Sequence, residues 1–153
     1  MTEKSLIQSP FEILKFQVAV SGDLKKDLLS VANIKIRVGS EQRHTVAEGE
    51  GPVNALDKAL RKALLPFYPS LKKVRVINYQ VFILNEEDSE RGKGTASRVN
   101  VVIVFSDGRR KWANQRESND IIEASLQVLV DSFRQVILKS SMEEVSKNKP
   151  AEY

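Results

Sequence analysis

The chain has 153 residues, a formal net charge of +4, an apolar share of 41% and a charged share of 29%. That is the length and make-up of one ordinary globular domain, neither disordered nor fibrous. With no cysteine and one histidine, a disulfide scaffold, a thiolate metal site, an iron–sulfur centre and a cysteine nucleophile are excluded, and no carboxylate set is spaced to replace them as metal ligands.

Residues 1–10 are polar, end in a proline and lack the apolar stretch of a signal peptide, so they read as a flexible N-terminus. Leu14, Phe16, Val18 and Val20 then alternate with Lys15, Gln17 and Ala19, the period of a half-buried strand. Ile34, Ile36 and Val38 alternate with Lys35 and Arg37 as a second strand, and Arg43 to Glu48 is a weaker third. Gly51-Pro52 opens a helix, with proline in the first turn, where its missing N–H costs nothing. Val53, Leu56, Ala59, Leu60, Ala63, Leu64 and Phe67 follow at helical spacing until Pro66 and Pro69 end the run. Val74 to Leu84 is again a β-branched strand. Asn85 to Gly94 is charged and carries glycine, the pattern of a long hairpin loop. Arg98 to Phe105 is the next strand, Ser106-Asp107-Gly108 a turn, and Arg109 to Ala113 a short strand. Ser118 or Asn119 is placed to cap a long helix from Ile121 to Leu138. Residues 139–153 offer almost nothing to bury and read as a flexible tail.

The order is β-β-β-α, twice. It predicts an α+β fold over residues 11–138, made of two βββα units at 11–68 and 72–138, with antiparallel strands and the helices packed on one face. The apolar arc of the first helix spans about 140°, ordinary for a helix on a sheet, whereas Ile121 to Ile137 carries one of roughly 240°. One sheet cannot cover that much. The second helix must also meet the first helix, a second subunit or a further domain, and a homodimer is the expected assembly. No apolar run approaches the ~20 residues that span a bilayer, so no membrane partner and a cytoplasmic location are expected.

Little in the chain could do chemistry. His44 stands alone between Arg43 and Thr45 in a strand, with no nucleophile set beside it. Gly49-Glu50-Gly51 lacks the third glycine of a dinucleotide fingerprint, and Glu86-Glu87-Asp88 lacks the spacing of a calcium loop. No catalytic residue, metal site or cofactor is therefore expected. Binding has more support. A glycine pair leading into a helix leaves free N–H groups at the positive end of the helix dipole, which suits a carboxylate or phosphate; the same glycines would also serve merely to shape a tight turn. Arg98, Arg109, Arg110, Lys111 and Arg116 make a basic stretch, so the alternative is a small basic RNA-binding α+β module. Against it, the strands lack the paired aromatics on which bases stack, and no GxxG clamp is present.

AEGEGPVNALDKALRKAL (Ala47 to Leu64), FYPSL (Phe67 to Leu71), GTASRV (Gly94 to Val99) and WANQRESNDIIEASLQVLVDSF (Trp112 to Phe133) resemble the C-terminal regulatory domain of α-isopropylmalate synthases, closest to the citramalate synthase branch. The resemblance covers about Phe11 to Leu138. It implies two βββα units, dimerisation, and a feedback effector, isoleucine or leucine, near the dimer interface. It also implies a catalytic barrel, with its divalent metal and its acetyl-CoA and 2-oxoacid sites, N-terminal to the domain. The parent enzyme would be a transferase of isoleucine or leucine biosynthesis, making citramalate or 2-isopropylmalate, and this chain its allosteric part rather than an enzyme by itself.

On that basis the effector site is expected at Gly49, Gly51, Val53, Asn54, Ser118, Asp120, Ile121 and Ala124. Backbone N–H groups around Gly51, Val53 and Asn54 would take the α-carboxylate. Asp120, standing where the family has asparagine, would take the α-ammonium, and Val53, Ile121 and Ala124 would wall the aliphatic side chain. The chain departs from the family at Arg116 and Glu117, where glycine and valine are usual. If both enter the cleft, they fill it.

Overall fold

A computed structural model describes residues 9–24, 26–84 and 96–147. The expected hairpin loop at 85–94, most of the N-terminal segment and the last residues of the expected tail lie outside them. The chain divides into two compact units, one running to Leu71 and resumed from Phe133, the other Lys72–Ser132.

In the first unit, β1 (Glu12–Asp23), β2 (Lys26–Val38) and β3 (Glu41–Gly49) form an antiparallel sheet in the order β1-β2-β3. The alternation anticipated the centre of β1 and the last part of β2, but the face of β1 expected to be half-buried is largely exposed, with Leu14 at 38%, Phe16 at 39% and Val20 at 55%. Both strands run further, into a hairpin whose residues Leu24 and Leu28 are largely exposed, which is why no apolar face marked it. α1 (Pro52–Leu64) lays Ala55, Leu56, Ala59, Leu60, Ala63 and Leu64 on the sheet, pairs four residues apart and hence on one face. Opposite them Ala32, Ile34 and Ile36 of β2 are fully buried. Thr45 of β3 donates its hydroxyl to the carbonyl of Ala59 at 2.7 Å, fixing the helix along the strand.

In the second unit, β4 (Arg75–Ile83), β5 (Val99–Ser106) and β6 (Lys111–Ser118) repeat the plan in the order β4-β5-β6. The Asp107 carboxylate makes the β5–β6 turn by accepting from the N–H groups of Arg109 (2.8 Å) and Arg110 (2.7 Å). Val101, Ile103 and Phe105 are fully buried, and the Trp112 ring stacks on Phe105 with centroids 5.8 Å apart. The sequence pattern ends β6 at Ala113; the structure carries it to Ser118. Trp112, Asn114, Arg116 and Ser118 lie opposite Phe105, Ile103, Val101 and Val99, so the strand's inner face is polar and hides its period.

α2 (Ile121–Lys147) is longer than the helix expected to end at Leu138. The residues beyond are helical but mostly exposed, Met142 at 73% and Val145 at 64%, so the part expected as tail holds helix while burying little. Leu126, Val130, Phe133 and Ile137, which share one helix face at four- and three-residue steps, are buried, as are Ala124 and Val128 on another side of the helix and Leu129 between them. Ile121 and Leu138, each at 41%, stay substantially exposed at the two ends of the expected helix.

Candidate functional site

The expected site residues fall at two strand-to-helix junctions, one in each unit. At the β3–α1 junction the first turn of the helix sits directly on Gly49. A Cβ there would lie 2.4 Å from the nitrogen and 2.7 Å from the Cα of Ala55, closer than any side chain permits, so this approach requires glycine. Gly51 is the residue before the helix, at φ +132°, ψ 164°, a region open essentially to glycine alone. Space beside it is open, with nothing within 4 Å of an added Cβ. Its carbonyl accepts the first helical bond, from Ala55 N–H at 3.0 Å.

No side chain caps α1, and its first turn carries no acidic residue. Pro52 has no N–H to satisfy, which leaves the N–H groups of Val53 and Asn54 at the positive end of the dipole. Asn54 turns its side chain backward, Oδ1 accepting from Glu50 N–H at 3.0 Å. Val53 is half-buried and Asn54 exposed. Gly49, Gly51, Val53 and Asn54 are thus brought together around one helix start.

The β6–α2 junction is closed by its own side chains. The cap is Asp120, not Ser118 or Asn119: its Oδ1 accepts from the N–H groups of Ile122 (2.8 Å) and Glu123 (3.1 Å). Ser118, nearly buried, accepts from Asp120 N–H at 3.0 Å and donates to Glu123 at 3.3 Å. An internal carboxylate therefore occupies the place where an anion would bind. Ala124, expected to wall the ligand, has no exposed surface to offer; Ile121 does.

Arg116 and Glu117 do not act together. Arg116 points to the α2 face and grips Asp131 with both arms, Nε–Oδ2 at 2.6 Å and Nη2–Oδ1 at 3.1 Å. The hydrogen bond and charge of Asp131 raise its pKa further above the ordinary arginine value. Glu117, opposite Asn100, lies on the other face of the sheet.

Sequence reasoning missed a set of polar struts between α2 and its sheet. Ser125 and Ser132 are fully buried. Ser125 donates to the carbonyl of Ile121 at 2.7 Å, so the Tyr79 hydroxyl, 2.7 Å away, donates to Ser125. Asn114 donates to Ser132 at 2.6 Å. The signal was present: serines recur at 118, 125 and 132, a seven-residue step that puts the last two on one helix face. His44 is exposed, 3.4 Å from Asn33 Oδ1. Among the described residues no group of three histidine or carboxylate side chains could hold a metal, and no helix is long and apolar enough to cross a membrane.

Residues 2–137 match the family model of the LeuA allosteric (dimerisation) domain. An (R)-citramalate synthase of Geobacter sulfurreducens is 46% identical over 119 residues, covering 78% of this chain and 22% of that protein. One of Aquifex aeolicus is 37% identical over 141 residues, covering 92% of this chain and 26% of that protein. A 2-isopropylmalate synthase of Aquifex aeolicus is 28% identical over 130 residues, covering 85% of this chain and 22% of that protein. The chain thus spans about a quarter or less of the length of these relatives, and it matches their C-terminal part.

Proposed function

The chain belongs to the LeuA allosteric (dimerisation) domain family, and from that premise we propose that it is the feedback-sensing part of a longer, cytoplasmic citramalate-forming transferase. It pairs as a homodimer, binds a branched-chain amino acid, isoleucine ahead of leucine, and performs no condensation of acetyl-CoA with a 2-oxoacid by itself. The observation that carries this reading is the start of α1, which has no side-chain cap and no acidic residue, with open space beside Gly51. There the α-carboxylate accepts from the N–H groups of Val53 and Asn54, and the helix dipole favours its charge. Arg116 leaves that reading intact, because its guanidinium is committed to Asp131. The citramalate branch is favoured because relatives of that name reach 46% identity while the isopropylmalate synthase stands at 28%.

Calorimetry with isoleucine, leucine and valine tests it, with light scattering at tens of micromolar for the dimer. Isoleucine should bind, and Asn54→Asp, which keeps the acceptor for Glu50 N–H but sets a carboxylate beside the free N–H groups, should weaken binding at least tenfold while circular dichroism stays helical. One methylene separates ligands by only ~1–3 kcal/mol, so leucine should bind more weakly rather than not at all. The reading fails if millimolar isoleucine, leucine and valine give neither heat nor a thermal shift with the dimer intact. It also fails if the chain instead binds an RNA homopolymer with a steep salt dependence.

A further inference from the structure

The far end of α1 is tied to the beginning of the described chain. One turn beyond the helix, Tyr68 still donates its N–H to the Leu64 carbonyl at 2.9 Å, so it moves with α1. Its hydroxyl donates to the carbonyl of Pro10 at 2.6 Å, across 58 residues of sequence. The next carbonyl, that of Phe11, accepts from Arg134 of α2 at 3.2 Å and from the Ser9 hydroxyl at 2.7 Å. The Phe11 ring is 1% exposed and the Arg134 guanidinium lies over it, 5.3 Å from the centroid. Segments near the start of a domain usually fray. This one is instead held at two successive carbonyls by one side chain from the turn after α1 and one from α2, just before it enters β1.

The relatives are several times longer and match through their C-terminal part, so in them polypeptide precedes the stretch corresponding to Ser9–Phe11. We propose that Tyr68 and Arg134 are positioning residues of an output joint, through which occupation of the α1 start is passed to Pro10–Phe11 and to the polypeptide that precedes them in longer relatives. The proposal rests on the reading of the α1 start as the effector's carboxylate site.

The mechanics follow from the packing. α1 has 13 residues, a rod of about 20 Å at 1.5 Å per residue. One face of it is buried along its whole length, so it shifts as a body rather than bending. A carboxylate that draws in the N–H groups of Val53 and Asn54 tips that rod. At its other end the Tyr68 hydroxyl bond is already short and loses strength if stretched beyond the ordinary range. A small displacement at the effector end therefore changes how tightly Pro10 and Phe11 are held.

Hydrogen–deuterium exchange on the intact chain, with and without saturating isoleucine, reads the joint directly at the amides of Phe11, Glu12 and Ile13. Calorimetry on the same samples reads binding. The wild-type chain should bind isoleucine and change exchange at these amides severalfold. Tyr68→Phe and Arg134→Met each remove one tether without touching the α1 start. Both should bind isoleucine as the wild type does, yet lose the ligand-dependent change; a residue that only stabilises the fold would alter exchange equally with and without ligand. If one variant melts too low to test, the other carries the experiment. Isoleucine binding with unchanged exchange at 11–13 in the wild type overturns the joint and leaves the effector reading standing. No heat with isoleucine, leucine or valine overturns the effector reading and the joint with it.

Discussion

Replacing Gly49 by alanine should loosen the start of α1 more than any other single methyl group in the first unit. The added carbon would sit 2.4 Å from Ala55 N, where ordinary contact begins at 3.4 Å. The helix start must then retreat by about 1 Å, since both nearest atoms belong to the backbone and neither can rotate away. Overpacking of this kind costs about 1–3 kcal/mol. In a domain of this size each kcal/mol lowers Tm by ~2–4 °C, so the fall should be roughly 2–12 °C. The retreat also pulls on the Thr45–Ala59 hydrogen bond that sets the helix along β3 and displaces the N–H groups of Val53 and Asn54, so isoleucine affinity should fall as well. Gly39→Ala is the control. It has a positive φ of +60° but nothing within 4 Å of an added Cβ, so it carries only the left-handed backbone cost of about 1–2 kcal/mol. Thermal unfolding followed by circular dichroism compares the two. If Gly49→Ala melts within about 1 °C of the unsubstituted protein, less than the smallest fall the overpacking allows, close approach is not what requires glycine at the β3–α1 junction.

Asp120→Ala removes the cap of α2 and should cost about 0.5–2 kcal/mol, read as a lower Tm; an unchanged Tm would show that Ser118 or Asn119 can cap in its place. Arg116→Gln breaks the charge pair with Asp131 while keeping a side chain in β6. With the Arg116 side chain 51% exposed, the loss should stay within about 1 kcal/mol and isoleucine binding should be unchanged; tighter binding would mean that Arg116 obstructs the site. Burial raises the pKa of the Tyr68 hydroxyl above 10.0, so above that pH the unfolded chain loses this proton more readily than the folded one. Stability should then fall as pH rises through and beyond 10, and Tyr68→Phe should flatten that fall in urea titrations; an identical slope in the variant would refute the assignment.

The β-β-β-α order was legible because apolar side chains mark it: Phe16, Val18 and Val20 on β1, Ile34 and Ile36 on β2, Val101, Ile103 and Phe105 on β5. Where the inner face is polar, the period vanished. Asn114, Arg116 and Ser118 face α2 as hydrogen-bonding groups, and a reading tuned to hydrophobic alternation stops at Ala113. The cap of α2 was ambiguous because Ser118, Asn119 and Asp120 are all good capping residues, and only the backbone path decides which one reaches the N–H groups of Ile122 and Glu123. Gly49 and Gly51 stood out as a pair, but their different reasons, contact at one and φ at the other, arise only where the folded chain brings Ala55 onto Gly49. Tyr68 and Arg134 gave no signal at all, since bonds across 58 and 123 residues leave no local trace.

The two helices of this internal repeat begin differently: α2 supplies its own carboxylate at Asp120, while α1 begins without one. Although the architecture is doubled, the capacity for an anion is not, and the pseudo-equivalence of the halves is broken at the atoms that would matter most to a ligand. Titration of a pair of chains should therefore saturate at two equivalents of amino acid rather than four. Any cooperativity between those equivalents would arise between chains, not between the repeats within one.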